Sequence, residues 1–206
     1  MFTEIPLVFQ ITVLLFSVVI HEVFHGLAAL RFGDDTAERM GRLTLNPLKH
    51  LDPVGSVILP MMLILMRSGF IFGWAKPVPY NPLKLKNPRR DTALLAFAGP
   101  LANFGVALIF GLIIRAIIMA SSFISLLPYL MVIVRINLIL GIFNLIPIPP
   151  LDGSKILFYL FPSQELEIVL SQYGIIILLF FIMFAGSIIL PLVMMLFSLF
   201  TGIPFS

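Results

Sequence analysis

His21-Glu22-Val23-Phe24-His25 is the stretch of this sequence best suited to chemistry. On a helix, residues four apart share one face about one turn apart, so both imidazoles can reach one metal ion. Glu22 sits beside that face, where it can take a proton from a metal-bound water. Zinc held by two histidines and one carboxylate leaves a position open for water, the pattern of hydrolytic zinc sites. A histidine on an apolar helix is ordinarily a satisfied core residue, and one HExxH can arise by chance. Here the three ionisable residues fall inside an apolar run from about 5 to 30. Ionisable groups inside a membrane span are costly and functional by default.

Such a site needs a third ligand. The chain has no cysteine, which excludes thiolate ligands, thiolate nucleophiles and disulfides. The remaining imidazole, His50, lies in GRLTLNPLKHLDP among charged and turn-forming residues and reads as interfacial. Asp152 is the stronger candidate. It is an isolated acid after a long apolar run, held in LIPIPPLDG. The prolines stop the helix and Gly153 permits close approach of backbone. A rigid non-helical strip at membrane depth is tolerated only where it lines a protein cavity. The alternative for Asp152 is a cap on a helix beginning at Ser154.

The elements that must position these groups belong to a membrane protein. The 206 residues are 60% hydrophobic and 11% charged, with mean hydropathy +1.10. A soluble domain is about 45–50% apolar and about 25% charged. An ordinary soluble protein, a disordered chain and a fibrous one are excluded, and the length allows roughly four to six spans of about 20 residues. Residues 1–10 carry no basic residue and show no cleavage site, so the first run reads as a retained span. Further apolar runs cover 92–120, 128–145 and 174–200, the last with a kink expected near Pro191. Residues 54–66 are apolar for only 13 positions, short for a span and suited to a re-entrant segment. Alternation around Leu43 and Leu45 suggests a short hairpin. The expectation is an all-α polytopic membrane protein with about four transmembrane helices, one embedded re-entrant segment and a short β-hairpin. Residues 1–206 form one integral-membrane domain in this reading.

HEVFH in an early span, AGPLANF, and then NLIPIPPLDG together resemble the site-2 protease family of intramembrane zinc metalloproteases. GRLTLNPLKHLDPVG and FGWAKPVPYNP are similar to the compact bacterial branch of that family, and no PDZ or CBS domain is legible. The resemblance covers about 21 to 155. It implies one zinc ion per chain bound by His21, His25 and Asp152, with Glu22 as general base. It places Asn144 at the substrate or the oxyanion, and the family's GxxxN element falls on Gly99 and Asn103, with Asn103 a second candidate for that role. It implies membrane-protein substrates in the lipid bilayer, cut in or near their spans. A helical substrate hides its carbonyls in i to i−4 hydrogen bonds and must unwind first. An edge strand at 41–45 or 72–80 could hold the unwound segment.

Composition alone also admits a small transporter or channel, with Gly99, Gly105 and Gly111 packing helices and Arg115 and Arg135 lining a path. A third reading is an inactive zinc-binding membrane scaffold. Transport gives no reason to pair HExxH with LDG, and Glu22 argues against an inactive scaffold. Net charge is +3, which fits cytoplasmic loops rather than nucleic-acid binding. Homo-oligomerisation is left open.

Topology follows from parity. The histidines lie in the second half of the first span and Asp152 follows the third run, so both must reach one side. That holds only if 54–74 does not cross. Charge agrees: ten basic residues lie between 31 and 90 and none between 121 and 127, so the positive-inside rule puts 31–90 in the cytoplasm of a multi-pass cell-membrane protein. A reporter fused after Lys84 is expected to read cytoplasmic; an extracytoplasmic signal would overturn this topology.

Overall fold

The computed structural model describes residues 5–66 and 75–204. Among them are seven α-helices and no strand. Helices α1 (Leu7–Arg31), α4 (Pro88–Ala120), α5 (Leu127–Asn144) and α7 (Gln164–Thr201) are each long and apolar enough to cross a membrane. Between them lie α2 (Thr36–Arg39), α3 (Leu59–Leu65) and α6 (Asp152–Leu160). The protein is a multi-pass, mostly helical membrane protein, as the composition requires.

Local chemistry sets the helix ends. Pro88 opens α4, where its missing N–H costs nothing, and Asp91 in the first turn accepts from Asn87 N–H at 2.8 Å. Ser163 caps α7 by accepting from Leu166 N–H at 3.3 Å, and Gly202 ends it in the left-handed region at φ 73°. The cap at Ser163 starts α7 ten residues before the apolar run expected from 174, with Glu165 and Glu167 in its first turn.

Helix α4 is the central element and packs against α1, α5, α6 and α7. The apolar core lies between α4, α5 and α7 and includes Ala107, Ile114, Val134, Leu138, Val193 and Phe197. Large apolar side chains such as Ile175, Phe180 and Met183 of α7 point outward. Lipid in place of water makes that arrangement favourable. Arg115 donates to the carbonyls of Leu199 and Phe200, so it caps the C-terminal end of α7.

The expected hairpin is not found. In its place, the Thr44 carbonyl faces His50 Nε2 at 2.8 Å and the Asn46 side chain accepts from Leu48 N–H at 3.0 Å. These bonds curl 44–50 into a turn closed by a 3-10 segment, Pro47–Lys49, whose proline offers no N–H to a ladder. The short apolar run forms a π-helical turn, Pro53–Ile58, leading into α3. At 1.5 Å per residue the seven residues of α3 rise only about 10 Å. Residues 72–74 of the second candidate strand lie outside the described residues.

A buried acid ties the loop at 76–85 to the end of α1. Asp34 is fully buried and accepts from Thr36 N–H at 3.0 Å, from the Thr36 hydroxyl, and from Asn81 N–H, with Lys84 Nζ 3.9 Å away. Burial pushes its carboxyl pKa up, but the Thr36 and Asn81 hydrogen bonds outweigh that and hold it below the usual carboxylate range. A lowered folded pKa stabilises the fold above the unfolded value, about 3.9. That stability is lost as pH falls through the lower folded value. Asp34→Ala is therefore expected to speed amide exchange of the loop about tenfold or more at neutral pH, since hydrogen bonds to a charged group contribute about 1.5–3 kcal/mol. In the unaltered protein the same amides should lose protection as the pH drops below about 4.

Candidate active site

Helix α1 carries His21, Glu22 and His25, and the 3.6-residue turn brings both imidazoles to the side facing α4 and α6. The two Nε2 atoms are 3.0 Å apart. Asp152, first residue of α6, places Oδ2 3.1 Å from His21 Nε2 and 3.0 Å from His25 Nε2. All three side chains are at most 10% exposed. Asp152 does not cap α6; Leu151 occupies the cap position and no side chain caps it. The other oxygen of Asp152 accepts from Lys155 Nζ at 3.2 Å.

Protonation follows from the outer nitrogens. His25 Nδ1 lies 2.8 Å from the Leu95 carbonyl, which can only accept, so Nδ1 carries the hydrogen. His21 Nδ1 lies 2.6 Å from Asn103 Oδ1, while the Asn103 NH2 donates to the Ser17 carbonyl at 3.2 Å. His21 therefore also carries its hydrogen on Nδ1. These hydrogens are assigned from heavy-atom partners. In the neutral rings both Nε2 lone pairs then face each other and a carboxylate oxygen. A proton could relieve one of these contacts; a metal ion relieves all three. The donor set, two imidazoles and a carboxylate, suits zinc.

The backbone makes room for this convergence. A Cβ on Gly99 of α4 would lie 2.6 Å from Nε2 of both histidines, so only glycine lets α4 pass so close. A Cβ on Gly153 would lie 2.2 Å from the Leu145 carbonyl, which explains the glycine after Asp152. The strip between α5 and α6 folds back on itself there and brings the acid to the histidines.

Glu22 lines the same cavity, of about 190 Å³, together with Val78, Tyr80, Asn144 and Lys155. Donor atoms of His21, Glu22 and His25 all lie within 4.8 Å of one another. One Glu22 oxygen, Oε2, accepts from Val78 N–H at 2.8 Å. Val78 is held there by a strap. Lys76 N–H donates to the His50 carbonyl at 2.8 Å, and Arg42 Nη2 donates to the Lys76 carbonyl at 2.8 Å and the Pro77 carbonyl at 3.3 Å. Asn144, at the end of α5, donates to Leu140 carbonyl at 3.0 Å and borders the cavity. His50 is buried beneath the strap and faces Thr44, away from the donor cluster. Asn103 is fully buried behind His21 and is not part of the cavity wall.

Sequence reasoning missed Val78, Arg42 and Asn137. A backbone N–H leaves no mark in a sequence, and Arg42 looks like an ordinary loop cation. Asn137 did carry a signal, a lone amide inside an apolar run.

Residues 111–185 match the profile of peptidase family M50. The chain is 38% identical over 192 residues to YwhC of Bacillus subtilis strain 168, covering 88% of this chain and 84% of that protein. It is 33% identical over 144 residues to Rip2 of Mycolicibacterium smegmatis, covering 68% of this chain and 52% of that protein. Rip2 of Mycobacterium tuberculosis strain H37Rv is 31% identical over 139 residues, covering 68% of this chain and 52% of that protein. All three are provisionally named zinc metalloproteases. No solved structure matches the chain.

The clearance at residue 99 can be tested directly. Gly99→Ala is expected to drive the two Nε2 atoms apart and abolish zinc retention at unchanged helical content. Metal analysis and circular dichroism of the purified variant check it; full zinc content would refute the role given to Gly99.

Proposed function

The chain belongs to peptidase family M50, and we propose that it is a zinc metalloendopeptidase that cuts other membrane proteins in or near their transmembrane segments. The observation that carries this reading is the meeting of His21 Nε2, His25 Nε2 and Asp152 Oδ2 within 3.1 Å, beside Glu22 in one cavity. In this reading those three residues hold one zinc ion per chain. When bound, zinc supplies a Lewis acid that lowers the pKa of water and polarises the scissile carbonyl.

The chain's own residues supply the rest. Glu22 accepts a proton from the attacking water and passes it to the leaving amine. The Val78 N–H fixes one Glu22 oxygen at 2.8 Å, which leaves the other to face the water. Asn144 borders the cavity where a tetrahedral oxyanion would form and is the candidate to stabilise it. Lys155 neutralises the Asp152 oxygen that does not face the histidines.

Four spans with α3 and its preceding turn embedded without crossing bring the site to the cytoplasmic side of the cell membrane. Two supports are the shortness of α3 and the basic residues of 31–90. Residues 1–206 act as one catalytic unit, with lipid and substrate spans as partners.

Glu22→Gln separates an enzyme from a metal-binding scaffold. The variant keeps size and a polar carbonyl but loses the base. Zinc content is expected to stay near one per chain while cleavage of a transmembrane reporter falls by at least about 10²–10⁴-fold. Cleavage at the normal rate with zinc present would refute the mechanism.

A further inference from the structure

Behind His21 lies a chain of buried polar side chains that the proposed chemistry does not use. Ser17 belongs to α1, Asn103 to α4 and Asn137 to α5, and both asparagines are fully buried. Asn137 Nδ2 donates to the Ile133 carbonyl at 2.9 Å and to Ser17 Oγ at 2.9 Å. Asn103 Nδ2 donates to the Ser17 carbonyl at 3.2 Å and to Asn137 Oδ1 at 3.0 Å. Asn103 Oδ1 is then left for His21 Nδ1, at 2.6 Å.

We propose that Asn137 and Asn103 are positioning residues whose linked amides fix the tautomer of His21 and so set the affinity of the site for zinc. This rests on the zinc reading given above. The two backbone carbonyls anchor the argument, because they can only accept. The Ile133 carbonyl fixes which end of the Asn137 amide is NH2, and its oxygen therefore points at Asn103. The Ser17 carbonyl and that oxygen together fix the Asn103 amide. Reversing Asn103 would set its oxygen against two other acceptors in a buried site, an arrangement that forfeits hydrogen bonds and leaves buried groups unpaired. His21 is thus met by an acceptor and keeps its hydrogen on Nδ1, with the Nε2 lone pair free for the metal.

Without Asn137, Asn103 loses one of the two acceptors that hold its amide. It can then turn its NH2 toward His21 Nδ1. That favours the tautomer with hydrogen on Nε2, where the metal must bind. The placement also moves Asn103 from a substrate contact to a role behind the ligand: its side chain is closed off from the cavity. Ser17 and Asn137 do border a second cavity, of about 220 Å³, between α1, α4 and α5. Substitution of Asn137 by leucine therefore has space to be accommodated.

The test is the zinc dissociation constant of the purified full chain, by chelator competition, alongside its thermal midpoint. Asn103→Leu and Asn137→Leu are expected to bind zinc about 10–100-fold more weakly. A merely structural role would lower the thermal midpoint of the leucine variants and leave zinc affinity unchanged; that result overturns the proposal. The 15N spectrum of His21 in the metal-free, unaltered chain decides without any variant: hydrogen on Nδ1 supports the proposal and hydrogen on Nε2 overturns it. His21→Ala separates the two readings. If it binds zinc as tightly as the unaltered protein, the ligand assignment fails. If it loses zinc while both leucine variants keep full affinity, only the relay fails.

Discussion

Two imidazole nitrogens and a carboxylate oxygen stand at the centre of this molecule, at 3.0 to 3.1 Å from one another. With both rings neutral, two imidazole lone pairs and a carboxylate oxygen repel, and in apolar surroundings that repulsion is weakly screened. They stay together because three separate elements force them to. Helix α1 fixes the spacing of the histidines, α4 passes at contact distance through Gly99, and the strip before α6 turns sharply at Gly153. The last two lack a side chain at the place where one would block the approach. A cation at the centre would turn that repulsion into binding.

The polar groups of α1, α4 and α5 around the site obey the same accounting of donors and acceptors. Buried amides, hydroxyls and imidazoles inside a membrane protein cannot turn to water, so each needs a fixed partner. Here the fixed partners are backbone carbonyls: Leu95 for His25, Ser17 for Asn103 and Ile133 for Asn137. Carbonyls have only one role, so they remove the ambiguity of amide and imidazole side chains. A helix bundle thereby becomes a rigid holder for a tautomer, which side chains bonded only to one another could not guarantee.

The residues that converge at the site were legible in the sequence because they are marked by local spacing. His21 and His25 are one turn apart on α1, and Asp152 is marked by prolines and a glycine that act on their own neighbours. The four long apolar helices were legible for the same reason, since hydropathy is a property of the run itself. What was lost depends on distant partners. The turn at 44–50 looks like a strand by alternation, but the His50 ring and Pro47 remove the groups a ladder would use. The start of α7 was read ten residues late because its first turns are polar and follow a cap rather than a hydropathy rise. Asn103 was legible as a motif residue, but its direction was not, because only the packing of α1 against α4 and α5 shows which atom meets it.

The strap over the cavity shows how the backbone can decide between two roles. An extended segment beside a protease site invites the idea that a substrate pairs with it as an added strand. Pairing needs free N–H and C=O groups in alternation. Along 76–79 the donors are gone: Lys76 N–H is bonded to His50, Val78 N–H to Glu22, and Pro77 and Pro79 have none. The carbonyls of Lys76 and Pro77 are already taken by Arg42. This stretch has no donor edge to offer a substrate. Its hydrogen bonds run inward, to Arg42 and His50 and, through the Val78 N–H, to the carboxylate of Glu22. A base that must point at one water needs such an anchor, because a glutamate has three rotatable side-chain bonds and a cavity of about 190 Å³ in which to use them. The strap therefore serves the base first, and backbone pairing with substrate would need donors outside 76–79.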